Sequence, residues 1–283
     1  MLKSRRQQSI GLIATDMTNP VVSLQIQALH DLFLARGYDL RLGISQARAD
    51  RELALMRRMA EGRVAGLVLS WSEGETDAAC ASYLREIVNQ GMPVVFAGRR
   101  RDGIPADSIT VDNRAGTCAA TDYLLRTGRG KVAFIAGQRG LLAAETRCAG
   151  YRVALAAAGL VANEAWVLFG EWTRASGRVL TERLLAGSDR PDAVVCGNDL
   201  MAIGALEAIE SCGFRVPADV AVVGFDDIEL ASLVRPRLTT VAQPLEKTAD
   251  LIGKLLIERI EGRAPAEPRD VVLEPDLIVR ESA

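Results

Sequence analysis

The sequence predicts an α/β protein built as two similar lobes, each a doubly wound parallel sheet, and three observations lead there. Apolar runs of five to seven residues alternate with longer amphipathic stretches along the whole chain, the pattern of strands and crossover helices. There are more such runs than one compact open sheet usually holds. The runs also form two series alike in order and spacing, which two lobes explain better than one large sheet.

In the first series the strands are SIGLIAT, YDLRLGI, VAGLVLS, MPVVFAG and SITVD. Between them the periodicity predicts helices such as Leu24 to Arg36, closed by Gly37, and Asp50 to Glu61, closed by Gly62, since glycine is the usual residue just beyond a helix end. After Gly128 come KVAFIAG, WVLFG, DAVVCG, VAVVGFD and LTTVAQ. The helix ending at Thr127 and Gly128 marks the expected first passage between lobes, with later passages near Val241 to Leu245 and near Val272. Residues 1–8 then read as a linker, 9–127 and 245–272 as an N-terminal lobe, and 128–244 and 273–283 as a C-terminal lobe. Three separate connections predict a hinge that bends without swivelling freely.

At 283 residues, 49% hydrophobic and 25% charged, the chain is long enough to bury two cores and too apolar for disorder. The net charge of −2 and a pI near 5.7 provide no basic face for nucleic acid. MLKSRRQQSIGLIATD lacks a secretory signal, and no window approaches the roughly 20 apolar residues of a membrane span, so a cytoplasmic protein without membrane contact is expected. The five cysteines are scattered and form no C-x-x-C pair, which predicts neither a metal site nor a disulfide framework.

Open α/β sheets bind ligands beyond the carboxyl ends of their strands, where helix N-termini and short loops present backbone donors. In chain order those positions hold Asp16 and Asn19, then Arg99, then Asp112 and Asn113; later come Arg147, Trp172, Asn198 with Asp199, and Asp226 with Asp227, while Gln243 lies on a late passage. The set holds hydrogen-bonding groups and one large aromatic. It suits a polyhydroxylated molecule: Asp and Asn accept from hydroxyls, Arg donates in a fixed fork, and Trp covers an apolar sugar face. Structural alternatives stand beside each assignment: Asn198 or Asp199 as a helix N-cap, Arg147 as a surface arginine, Trp172 as a core residue, Asp16 and Asn19 as turn formers.

Catalysis finds little support. The one histidine, His30, lies inside the first amphipathic helix, away from the strand ends. Asp226 and Asp227 are adjacent in an extended segment and are expected to point to opposite sides, one into the crevice and one toward a supporting loop. No G-x-G-x-x-G or P-loop follows any strand, so no nucleotide cofactor is expected.

VVGFDDIELASLVRPRLTTVAQP at 222–244, DNRAG at 112–116, R-x-x-G-Y at 147–151, GEWT at 170–173 and CGNDLMAIGAL at 196–206 together resemble the lactose-repressor (LacI/GalR) family of bacterial transcription regulators over essentially the whole chain. The resemblance implies a periplasmic-binding-protein-like effector core that dimerises, is not an enzyme, and reaches operator DNA through an N-terminal helix-turn-helix. No helix-turn-helix precedes SIGLIAT, so DNA contact is expected only through a segment outside this sequence. The resemblance further implies that Asn19, Arg99, Arg147, Trp172, Asn198, Asp226 and Gln243 touch the effector, with Val22 at a position often aromatic in relatives. Gly98, where sugar binders often carry Asp, leaves fewer carboxylates beside Arg99 and Arg147, which favours an acidic sugar over a neutral one within an effector class of sugars and sugar acids. A transport-type sugar receptor of the same fold is the alternative.

Overall fold

The computed structural model describes residues 8–70 and 77–283. Most of the expected linker, with Lys3, Arg5 and Arg6, lies outside the described residues. The first half of the chain alternates strand and helix: β1 (Gln8–Ala14), α1 (Pro20–Ala35), β2 (Tyr38–Ile44), α2 (Ala49–Glu61), β3 (Gly66–Ser70), α3 (Ala78–Asn89), β4 (Val94–Ala97) and β5 (Asp107–Val111). Helix α1 begins four residues earlier than the apolar periodicity suggests. Asn19 caps it, its Oδ1 accepting from Val21 N at 3.0 Å, and Pro20 fits the first turn because its missing N–H has no partner there anyway.

The alternation continues with α4 (Asn113–Arg126), β6 (Val132–Ala136), α5 (Leu142–Ala157), β7 (Val167–Phe169), α6 (Arg174–Leu185), β8 (Ala193–Cys196), α7 (Asp199–Ser211), β9 (Ala221–Asp226), the short α8 (Glu229–Leu233) and β10 (Thr239–Ala242). The chain ends with α9 (Leu245–Ile260), β11 (Asp270–Leu273) and β12 (Asp276–Ile278). Strands β11 and β12 have no counterpart in the sequence reading. They are short, lie at sheet edges and carry little apolar alternation to announce them.

Two compact units result. The first comprises residues 1–111 and 244–273, the second 112–243 and 274–283. The first passage is therefore at Val111–Asp112, not at Thr127–Gly128, and α4 belongs to the second unit. Its packing explains the correction. Ala120 and Leu124 are buried with Phe134, Tyr151 and Phe225, and a side chain at Gly116 would lie within about 3 Å of Phe225, Val241 and Pro275. The remaining passages fall at Gln243–Pro244 and Leu273–Glu274.

The first unit holds a parallel sheet of order β11-β5-β4-β3-β1-β2. The second repeats the design as β12-β10-β9-β8-β6-β7, with β12 alone antiparallel to its neighbour. The central strands of both sheets are buried on both faces. In β6, Val132, Phe134 and Ala136 enter one core and Ala133 and Ile135 the other, as the two-residue period of a strand requires. In the first unit Ile10 and Leu12 face one core and Ile13 the other. Among the described residues no helix is long and apolar enough to cross a membrane, and no cluster of His, Cys, Asp or Glu has the makings of a metal site.

Candidate functional site

The second sheet reverses its strand order between β6 and β8, with β7 beyond β6. At such a point the loops after the two strands diverge and open a crevice. Trp172 lies there. A Cβ on Gly137, just after β6, would come within 2.1 Å of its ring, and one on Gly197, just after β8, within 3.2 Å. Two glycines at these strand ends thus leave the space that the indole fills.

Asn198 holds this arrangement. Its Oδ1 accepts from Met201 N at 2.9 Å and caps α7, while its Nδ2 donates to Trp172 O at 3.2 Å. Both ends of the amide take part in structure, so Asn198 does serve as the helix cap. Asp199, the next residue, is also buried: Ile228 N donates to its Oδ2 at 2.9 Å and Thr240 to its Oδ1. Burial, and secondarily Asp226, push its carboxyl well above the usual range and hold it toward the neutral form.

Arg147 emerges from α5 and is buried, not a surface residue. Its Nε donates to Asn113 Oδ1 at 2.8 Å, Nη1 donates to Gly197 O, and the guanidinium lies 3.6 Å from the centroid of the Phe225 ring and 5.5 Å from that of Trp172. Its Nη2 stands 3.6 Å from Asp226 Oδ1, longer than a hydrogen bond. Asp226 Oδ1 in turn accepts from Gln243 Nε2 at 2.6 Å. Burial pushes the Asp226 carboxyl up to about 6, against the pull of Arg147 and Gln243.

The adjacent carboxylates diverge as expected, but through positive-φ backbone and not through the extended segment the sequence suggested. Asp226 turns inward at φ +119° and Asp227, at φ +55°, pairs with Arg280 at 2.7 Å. Non-glycine residues at positive φ cost about 1–3 kcal/mol each and persist where surrounding contacts fix them, often at functional sites. Here the fixing contacts are the Gln243 amide and the Arg280 guanidinium.

Five sequence-predicted residues thus meet in the second unit: Arg147, Trp172, Asn198, Asp226 and Gln243. The other three belong to the first unit. Asn19 caps α1, Val22 is enclosed with only 5% of its surface exposed, and Arg99 is an exposed residue 3.5 Å from Asp102. Its neighbours Arg100 and Arg101 pair with Asp270 and Glu52. Arg99 thus has Asp102 as a surface neighbour, and Arg147 has the buried Asp226. Asn113, already named among the strand-end positions, and Phe225, which was not, both contact Arg147. The place of Phe225 next to the end of β9 was the available signal.

Comparison with known proteins gives a consistent set of likenesses. A family model described as a periplasmic binding protein-like domain matches residues 121–283. The HTH-type transcriptional repressor PurR of Erwinia tasmaniensis is 34% identical over 281 residues, covering 99% of this chain and 81% of the repressor. Among solved structures, a transcriptional regulator CelR–cellobiose complex is 33% identical with a TM-score of 0.86, covering 97% of this chain and 84% of that one. A LacI family transcriptional regulator from Mycobacterium smegmatis is 32% identical with a TM-score of 0.84, covering 97% and 99%.

Proposed function

Since the chain belongs to the LacI/GalR family of transcriptional regulators and forms its effector-sensing core, we propose that Arg147, Asp226, Gln243 and Trp172 bind a neutral sugar as the effector. The observation that carries this reading is the buried Arg147–Asp226 pair beside an indole. A fixed donor and an acceptor 3.6 Å apart suit neighbouring hydroxyls of a sugar, and the Trp172 face suits its C–H surface. Near pH 7.5 Asp226 is mostly ionised and balances Arg147, so an added ligand carboxylate meets no surplus positive charge. The cellobiose bound to CelR is a neutral sugar of this chemical kind. The relatives are repressors, which favours a regulator over a transport receptor or an enzyme.

A thermal-shift screen of neutral sugars against their acids tests the reading, with glucose and gluconate as one matched pair. The neutral member is expected to stabilise the protein more. Arg147→Ala is expected to weaken the hit by roughly tenfold or more, because losing a buried charged hydrogen bond costs about 1.5–3 kcal/mol. Equal affinity in wild type and variant, with the fold intact by circular dichroism, would move the site elsewhere.

The proposed macromolecular partners are a second copy of the chain and operator DNA. Leu24 and Leu34 on α1 and Leu230 and Leu233 on α8 are exposed apolar side chains that suit a homodimer contact. Three basic residues near the N-terminus support only weak, salt-sensitive phosphate contact. Residues 1–283 are expected to sediment as a dimer and to give no sequence-specific gel shift at physiological salt, with binding recovered when a helix-turn-helix is joined in frame. A strict monomer, or a specific complex with residues 1–283 alone, contradicts this.

A further inference from the structure

Asp199 opens α7, is fully buried, and lies outside the group assigned to the effector. The sheet makes room for its carboxyl. A Cβ on Gly224 would come within 2.2 Å of Asp199 Oδ1, and Gly224 is paired in register with Thr240, whose hydroxyl donates to that same oxygen. Two neighbouring strands thus fix one oxygen of the carboxyl. The other, Oδ2, reaches the chain just beyond β9, where it accepts from Ile228 N at 2.9 Å.

Ile228 follows two residues with strained backbone. Asp226 and Asp227 stand at φ +119° and +55°, a conformation that L residues keep only where surrounding contacts hold it. Gln243 and Arg280 hold the two side chains. The backbone that follows is held by Asp199: Ile228 is buried, and a buried N–H without an acceptor is costly, so this bond fixes where the turn ends. Ile228 is also the residue from which α8 starts. Asp226 is therefore anchored on one side by the pairing of β9 with β10 and two residues later by Asp199.

We infer that Asp199 is a positioning residue for Asp226: by holding Ile228 N it locks the Asp226–Asp227 turn and keeps the Asp226 carboxyl directed inward, toward Arg147 and Gln243. This deepens the proposed effector site and rests on the role of Asp226 there. The charged groups around Asp226 are Arg147 on α5, Asp199 itself, and the adjacent Asp227 with its partner Arg280; Gln243 supplies the neutral contact. Asp199 acts here through a hydrogen bond and not through charge, which separates two substitutions. Asn keeps a carbonyl oxygen for Ile228 N and turns an N–H toward the Thr240 hydroxyl, whereas Ala keeps neither.

Carbon-detected NMR titration of the Asp226 carboxyl and hydrogen exchange at Ile228 N–H test the inference without any ligand. In Asp199→Ala the turn is released and Asp226 reaches solvent, so its midpoint falls from about 6 toward 3.8 and the Ile228 N–H exchanges faster. In Asp199→Asn both stay as in wild type. Thr240→Val removes the other contact to Asp199 and leaves Ile228 N paired; it lowers stability without moving the Asp226 midpoint, which separates positioning from a general loosening of the fold. A midpoint in Asp199→Ala that stays at the wild-type value overturns the inference, as does one that falls equally in Asp199→Asn or Thr240→Val. Should Asp199→Ala not fold, the other proteins decide: an Ile228 N–H that exchanges in wild type like an exposed loop amide, or a lowered Asp226 midpoint in Asp199→Asn, overturns it equally. Failure of the effector reading shows separately, as undiminished sugar binding by Arg147→Ala.

Discussion

Asp226→Asn is expected to raise the stability of the second unit at pH 7.5 by as much as about 3 kcal/mol while weakening sugar binding about tenfold. The carboxyl sits at about 6 in the folded chain against 3.8 for an ordinary aspartate, with burial as the main cause. Between those values the folded chain binds the proton more tightly than the unfolded one. Stability therefore falls as pH rises from about 4 to 6 and stays lowered above. Asn imitates the protonated acid and removes that penalty. Below pH 4 the two proteins converge, since wild type is then protonated in both states. Binding moves the other way because a neutral acceptor forms weaker hydrogen bonds than a carboxylate. Urea unfolding at pH 4 and 7.5 reads the stability, and calorimetry with the sugar hit reads affinity. A variant less stable than wild type at pH 7.5 contradicts this account of Asp226.

This trade between stability and binding bears on what sequence could reveal. The two-unit division was legible because strands buried on both faces read as apolar runs, as in β6 and β8. Helix α4 was assigned to the wrong unit because its sequence shows an amphipathic helix but not which sheet it covers. The Gly116 contact with Phe225 and Val241 decides that, and it joins residues more than a hundred positions apart. At the site, strand-end position and motif pointed to Arg147, Trp172, Asp226 and Gln243. They did not show that Asn198 also caps α7 and holds Trp172 O. Strand-end position also named Asn113, but not its contact with Arg147, which depends on the approach of α5 to α4 at Gly150. Residue type and strand-end position named the candidates, while tertiary packing determined which of them come together.

Asp107→Ala is expected to destabilise the first unit by about 3 kcal/mol, the lower end for breaking a buried ion pair, because its two arginines remain partly exposed and can rehydrate. Asp107 is fully buried at the start of β5. It accepts from Arg259 Nε at 3.1 Å and Nη2 at 2.7 Å, and from Arg269 Nη2 and backbone N at 2.8 Å each. Arg259 lies on α9 and Arg269 just before β11, so this one carboxylate ties the returning segment 244–273 to the strand that precedes the first passage. Burial raises its pKa, yet the hydrogen bonds from Arg259 and Arg269 outweigh it and hold the carboxyl below its ordinary value. The linkage therefore has the opposite sign to that of Asp226: the stabilisation is present above pH 3.8 and is lost as pH falls through the folded value. The cost of Asp107→Ala should accordingly shrink in strong acid, and Asp107→Asn, which keeps acceptor oxygen but not charge, should fall between Ala and wild type at pH 7.5. Since Asp107 and Asp226 belong to different units, their changes should add within about 0.5 kcal/mol in the double variant, one lowering and one raising stability. An Asp107→Ala protein as stable as wild type at pH 7.5 would show that hydration of the freed arginines replaces the pairing in full.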